Sequence, residues 1–142
     1  MESTQQEKIT VQSAVKAPVE KVWQLWTKPE HITKWNFASD DWHSPAADND
    51  LRAGGRFSVR MEAKDGSFGF DFGGVYDEVK PNESLSYTMD DGRKATVTFA
   101  GNTGETVVTT IFDAETQNPV DMQRAGWQAI SDNFKKYAEG VN

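Results

Sequence analysis

The chain has 142 residues, with 22 Asp and Glu against 15 Lys and Arg and a formal net charge of −7. It has no cysteine, which excludes disulfides, thiolate nucleophiles and zinc–thiolate sites together. Basic residues are scattered singly, apart from Arg93-Lys94 and Lys135-Lys136. No basic face is therefore offered to nucleic acid, and the acidic balance disfavours docking on anionic membrane.

Apolar residues make up 37%, and five Trp, three Tyr and eight Phe add large buried areas per side chain. The length suits one domain spanning residues 1–142. The opening Met1-Glu2-Ser3-Thr4-Gln5-Gln6-Glu7 is polar and acidic, without the basic start and apolar run of a leader. No stretch approaches the roughly 20 apolar residues of a membrane span. A cytoplasmic location is the expectation.

In chain order, Ile9, Val11, Ser13 and Val15 alternate with polar neighbours and predict a half-buried strand. Pro18 ends it and suits a first helical turn. Val19, Val22, Trp23 and Trp26 then fall on one face of a helix. Pro29 breaks that helix and opens a short second one through Ile32 and Trp35. From Asn36 to Gly55 the pattern dissolves, and a connection of this length suggests a lid or binding loop.

Gly54-Gly55 turns the chain into five strands joined as an antiparallel meander. Phe57, Val59, Met61 and Ala63 alternate, Asp65-Gly66 signals a hairpin, and Phe68, Phe70 and Phe72 share one face of the next strand. Gly73-Gly74 predicts a bulge or bend, and the strand runs on through Val75 to Val79. Leu85, Tyr87 and Met89, then Ala95, Val97 and Phe99, alternate on either side of an Asp91-Gly92 turn. Gly101 to Gly104 is a third turn, and Thr106 to Phe112 is a β-branched strand. Asn118 is read as the N-cap of a last helix, with Pro119 first and Trp127, Ile130, Phe134 and Tyr137 as its apolar stripe.

The strands alternate instead of running continuously apolar, so one face should be wet. The fold class is α+β: a curved, six-stranded antiparallel sheet in the order β-α-α-β5-α, packed on a long C-terminal helix.

Five short segments, in this order, resemble one family. They are Ala17-Pro18-Val19-Glu20-Lys21-Val22-Trp23, Pro29-Glu30-His31-Ile32-Thr33-Lys34-Trp35, Asp50-Leu51-Arg52-Ala53-Gly54-Gly55-Arg56-Phe57, Gly74-Val75-Tyr76-Asp77-Glu78-Val79 with Pro81 and Leu85, and Gly126-Trp127. The chain resembles the START-like (SRPBCC, helix-grip, Bet v 1-like) superfamily. Within it, the match is to the branch named for the activator of the heat-shock-protein-90 ATPase. That resemblance implies a helix-grip fold with space between sheet and helix. It spans lipid and polyketide binders, cyclases and co-chaperones, so it leaves function open. The full eukaryotic co-chaperone has a separate N-terminal domain for which these 142 residues have no room.

The aromatics Phe68, Phe70, Phe72, Tyr87, Phe99 and Trp127 are expected to face inward, as core or as the wall of a ligand cavity. Phe57, Met89 and Ile130 complete the candidate lining. Tyr87 and Trp127 carry polar tips that orient a ligand or bond a backbone carbonyl. Arg124 sits near the end of the helix stripe, either as a cation at the cavity mouth or as a solvated side chain. Trp35 and Trp42 flank the irregular segment as caps of the core or as parts of a lid.

Asp40-Asp41-Trp42-His43 and His31 are the place to look for a metal, but adjacency in a loop does not supply converging ligands, and none is expected. Gly54-Gly55 lacks the context of a phosphate loop, and no cofactor is expected. The first functional expectation is non-enzymatic binding of a small, largely apolar, lipid- or polyketide-like molecule by a monomer or weak dimer. The alternatives are a co-chaperone-type module for a heat-shock-protein-90 homologue, and a cyclase or hydrolase using Tyr87, His43 and Asp71.

Overall fold

The computed structural model describes residues 7–141; most of the polar opening segment read for a leader lies outside them. The elements run β1 (Lys8–Val15), α1 (Val19–Thr27), α2 (Pro29–Ile32), β2 (Trp42–Asn49), β3 (Arg56–Ala63), β4 (Gly69–Lys80), β5 (Ser84–Met89), β6 (Lys94–Asn102), β7 (Glu105–Asp113) and α3 (Val120–Gly140). All strands join one antiparallel sheet in the order β1-β7-β6-β5-β4-β3-β2.

The class is α+β with a C-terminal helix, but the sheet has seven strands, not six. The missed strand, β2, lies inside the segment read as irregular. Its sequence, Trp42-His43-Ser44-Pro45-Ala46-Ala47-Asp48-Asn49, has no apolar alternation because it is an edge strand pairing only with β3. Pro45 falls in the register shift between His43 and Ala46. There its missing N–H breaks no ladder bond and blunts an exposed edge.

The opposite edge is covered. α3 runs closest to β1, and its polar side chains take up the outward backbone groups of that strand. Gln128 accepts from the Gln12 N–H at 3.3 Å and donates to the Gln12 carbonyl at 3.0 Å. Lys135 Nζ donates to the Ala14 carbonyl at 2.8 Å, and the Lys16 N–H donates to Glu139 at 3.0 Å. Ser13 and Ser131 share a buried 2.7 Å hydrogen bond between strand and helix. Residues 128, 131, 135 and 139 recur at helical spacing, so one face of α3 is built to fit a strand edge.

The start of α3 differs from the sequence reading. Pro119 occupies the N-cap position and no side chain caps the helix. The turn before it is held instead by buried Gln123, which donates to the carbonyls of Glu115 at 3.1 Å and Asn118 at 2.8 Å. The Glu115 carboxylate gathers the N–H groups of Gln117 and Asn118 at 2.8 and 2.7 Å.

β4 is bent by one extra residue. Tyr76 pairs with Tyr87 but Glu78 pairs with Ser86, so Asp77 is the bulge. Gly73-Gly74 is not the bulge; register with β3 continues through it. Gly74 is required because a Cβ there would lie 2.4 Å from the Thr88 carbonyl oxygen. Gly92 serves the β5–β6 turn with φ of 92°, a conformation that side chains resist.

The buried apolar residues form one core cluster. Under α1, Trp23 and Trp26 meet Phe99 edge-on at centroid distances of 5.2 and 5.9 Å. Phe134 of α3 is fully buried against Trp26 at 4.8 Å and Trp35 at 4.9 Å. This aromatic knot joins both N-terminal helices to α3. Truncating Phe134→Ala should cost about 3–5 kcal/mol, read as a lowered midpoint in urea at unchanged slope.

Candidate functional site

A cavity of about 270 Å³ lies between α3 and the part of the concave sheet that α3 does not reach. Its sheet wall comes mostly from β3, β4 and β5, joined by Val11 of β1 and Thr110 of β7. Phe57, Val59 and Met61 project from β3, and Phe70, Phe72 and Tyr76 from β4. Leu85 and Tyr87 follow on β5. Trp127, Ile130 and Ser131 of α3 face them, and Trp26, Ile32 and Trp35 close the end beneath the short helices.

Strand alternation explains the selection. Phe57, Val59 and Met61 point inward, so Ser58, Arg60 and Glu62 point outward. The cavity reaches the surface at Phe70, which is 41% exposed. Aromatic contacts hold the wall: Phe57 and Tyr87 meet edge-on at 4.8 Å, Phe72 and Trp127 at 6.1 Å. Trp127 also stacks on Phe112 at 3.8 Å with planes 12° apart.

The expected site residues divide. Trp35, Phe57, Phe70, Phe72, Tyr87, Trp127 and Ile130 line the cavity. Met89 and Phe99 are buried in the core but do not reach it, because Met89 lies across from Gly74 and Phe99 is taken by Trp23 and Trp26. Trp42 does not line the cavity; its ring lies 6.0 Å from Phe68, also outside, and 6.0 Å from Phe70 at the rim. Phe68 is 62% exposed instead of inward, being carried past the helix by the β3–β4 turn.

Arg124 is exposed and pairs with Asp121 at 2.9 Å, one turn back on the helix, so it offers no cation to the mouth. Trp35 belongs to the core, 3% exposed, with its indole N–H donating to the Leu25 carbonyl at 3.0 Å. A loose flap would not hold it so.

The catalytic candidates do not converge. His43 lies 3.7 Å from Glu62, and Asp71 is 3.6 Å from Arg60, both with residues of the outward face. Tyr87 lies inside. Among the described residues, no group of three His, Cys, Asp or Glu is placed to hold a metal ion. His31 Nδ1 instead shares a 2.7 Å hydrogen bond with Tyr137, tying α2 to α3.

Sequence reasoning missed the polar members of the wall: Asn36, Tyr76, Arg93, Thr110 and Ser131. Arg93 was legible, since it stands two residues before Ala95 and thus on the inward face of β6. Its side chain donates to Asp91 at 2.8 Å and to the Asp113 carbonyl at 3.3 Å. Tyr76 was hidden by the bulge that follows it; its hydroxyl donates to Asn49 at 2.7 Å. Asn49 in turn donates to the Thr27 carbonyl, linking β4, β2 and the end of α1.

A curved antiparallel sheet closing on a C-terminal helix, with a lined space between them, defines the helix-grip class. Residues 16–139 match the family described as activator of Hsp90 ATPase homolog 1-like protein, and the chain belongs to that family. The AHSA1-like protein of Aeromonas hydrophila is 47% identical, with a TM-score of 0.89 over 94% of this chain and 93% of its own. A protein from Cytophaga hutchinsonii is 53% identical, with a TM-score of 0.81 over 94% and 92%. A Chromobacterium violaceum protein shares the fold at 23% identity and a TM-score of 0.83, covering 93% and 96%. No curated protein matches the chain significantly. No helix of the described residues is long and apolar enough to cross a membrane.

Burial pushes the Tyr76 hydroxyl up to about 12, partly offset by its bond to Asn49. Tyr87 is pushed up further, first by burial and then by Tyr76, with Arg93 pulling the other way. Folding therefore favours the neutral phenols. That contribution is complete below the ordinary phenol value near pH 10 and is lost as pH rises through about 12 for Tyr76. In a spectrophotometric titration, the native protein should show little phenolate at pH 10, where the urea-unfolded chain is half ionised. Native ionisation matching the unfolded curve would contradict the buried placement.

Proposed function

We propose that this chain, as a single helix-grip domain over residues 1–142, binds a small, largely apolar molecule between sheet and helix without transforming it. The observation that carries this reading is the cavity of about 270 Å³, walled by aromatic rings and open at Phe70. An apolar void of about 150 Å³ already takes up benzene, and ligand sites begin at roughly 300 Å³. The space therefore suits a molecule of two or three fused or linked rings, or a short acyl chain. Aromatic walls around a few polar groups are the usual composition of such sites. The protein acts in this reading as a cytoplasmic monomer or weak dimer.

The neutral fluorophore phenylnaphthylamine tests it. Wild type should bind the dye with enhanced emission and quenched Trp fluorescence, since Trp26, Trp35 and Trp127 form part of the wall. At a hundred times its Kd the dye should add about 2.7 kcal/mol of stability. Ile130→Trp, which fills the space from α3, should abolish binding while the variant keeps its fold. No binding by wild type of this dye or of any probe in an apolar panel defeats the reading.

A second reading rests on family membership and on the aromatic group at and beyond the cavity rim. Trp42, Phe68 and Phe70 form mutual ring contacts at 6.0 to 6.2 Å, with Phe68 62% exposed. Exposed aromatic patches mark protein contacts, here with a heat-shock-protein-90 homologue. Immobilised protein should then capture the chaperone and alter its ATPase rate, and Phe68→Ser should weaken capture severalfold at unchanged stability. Absence of capture by wild type ends this second reading.

A further inference from the structure

Two hydroxyls in the cavity wall have nothing to bond. Tyr87 is 8% exposed and Thr110 is 4% exposed, and both line the cavity. Neither side chain makes a hydrogen bond among the described residues. Nearby buried hydroxyls do: Tyr76 bonds Asn49 at 2.7 Å, Ser131 bonds Ser13 at 2.7 Å, and Thr106 bonds the Ala17 carbonyl at 2.8 Å. Buried polar groups are ordinarily satisfied, so the exception is confined to one patch.

The register shows how that patch is laid out. Tyr87 pairs with Ala95, and Ala95 with Phe112. Thr110 stands two residues from Phe112 on the same face of β7. Tyr87 and Thr110 thus line the cavity from the strands on either side of β6, whose Ala95 does not itself reach the cavity. The indole of Trp127, stacked on Phe112, bounds it from the helix side.

Electrostatics selects the partner. Arg93 also reaches this part of the wall, and its charge is felt at the Tyr87 hydroxyl. That charge is already shared. Asp91 holds its Nε at 2.8 Å, and the carboxylates of Asp113 and Glu115 both respond to it. An incoming anion would meet these acids together with the loss of its own hydration. Tyr87 is a neutral donor that keeps its proton, so it complements an uncharged acceptor.

We propose that the cavity takes a neutral carbonyl compound with a flat apolar body, whose oxygen accepts a hydrogen bond from Tyr87 with Thr110 as a second donor. The inference rests on the cavity-binding reading above and adds the ligand's chemical class. The carbonyl end lies at Tyr87, and the body extends along Phe57 and Phe72 towards the rim at Phe70.

Three naphthalenes substituted at the same position separate the possibilities: the methyl ketone, the ethyl hydrocarbon and the carboxylate. Each is titrated against wild type by displacement of phenylnaphthylamine. The ketone should bind about fivefold tighter than the hydrocarbon, the worth of one net neutral hydrogen bond, and the carboxylate should bind weakest. In Tyr87→Phe the ketone and hydrocarbon should bind alike. The same variant should be at least as stable to urea as wild type, because no native hydrogen bond is removed. Thr110→Val should narrow the preference independently.

Equal binding of ketone and hydrocarbon by wild type overturns the ligand class and leaves the cavity reading standing. So does retention of the preference in Tyr87→Phe, or tightest binding of the carboxylate. Failure of all three naphthalenes and of the dye removes the cavity reading and this inference with it.

Discussion

The position of α3 is set by the edge of the sheet, not by its middle. Gln128, Ser131, Lys135 and Glu139 fasten the helix along β1 through its backbone and through Ser13. An open strand edge must be satisfied or blunted, and here the helix does that work with its polar face. The apolar stripe is then turned over the concave sheet from one side only. Phe134 reaches the two N-terminal helices and seals one end. Trp127 reaches β7 and β4 and holds the other. Between them, β3, β4 and β5 curve away faster than α3 can follow, and the space between stays unfilled.

Curvature has local causes that can be named. Asp77 inserts a residue into β4 opposite β5, which bends the strand and raises its twist. Two strands away in the sheet order, Ala95 gives β6 a small side chain where its neighbours carry Tyr87 and Phe112. Gly74 brings β4 close to the backbone of β5, where any side chain would strike the Thr88 carbonyl. Filling the cavity with larger groups would have been simple for a sequence under pressure only for stability. A buried, unpaired hydroxyl costs about 1–3 kcal/mol, and Tyr87 and Thr110 have apolar near-isosteres in Phe and Val. Local departures of this kind from otherwise consistent packing concentrate where a protein functions. The wall departs from good packing in volume and in hydrogen bonding at the same place.

Much of the fold was readable because its strands alternate and its turns carry Asp-Gly. β3, β5, β6 and β7 each bury every second residue over most of their length, the pattern period-2 reasoning detects. β2 escaped because an edge strand with a proline bulge needs neither apolar alternation nor a full ladder. The inward faces of Phe57, Phe72, Tyr87 and Trp127 followed from periodicity. Which inward residues bound empty space did not, since Met89 and Phe99 obey the same alternation and end in solid core. That distinction depends on where α3 lies, and its position is written in polar residues spaced along its other face. Phe68 was misplaced for a related reason: strand alternation gives the side of the sheet but not how far the covering helix extends.

The charge distribution adds a last constraint. The chain carries a net charge of −7, yet the cavity wall holds one ionised side chain, Arg93, and that cation is matched by Asp91 beside it and by Asp113 and Glu115 nearby. An acidic exterior repels anions before they reach the rim, and the matched arginine gives them no compensation inside. Cations would find no unpaired carboxylate among the lining residues and would lose their hydration for nothing. The outside field therefore works against anions, and the inside chemistry against charge of either sign. What distinguishes one neutral guest from another is then shape against the aromatic wall and the two hydroxyl donors. In the proposed binding role, that pair of donors can change while sheet and helix stay as they are, so specificity would sit in a few inward positions of β5 and β7.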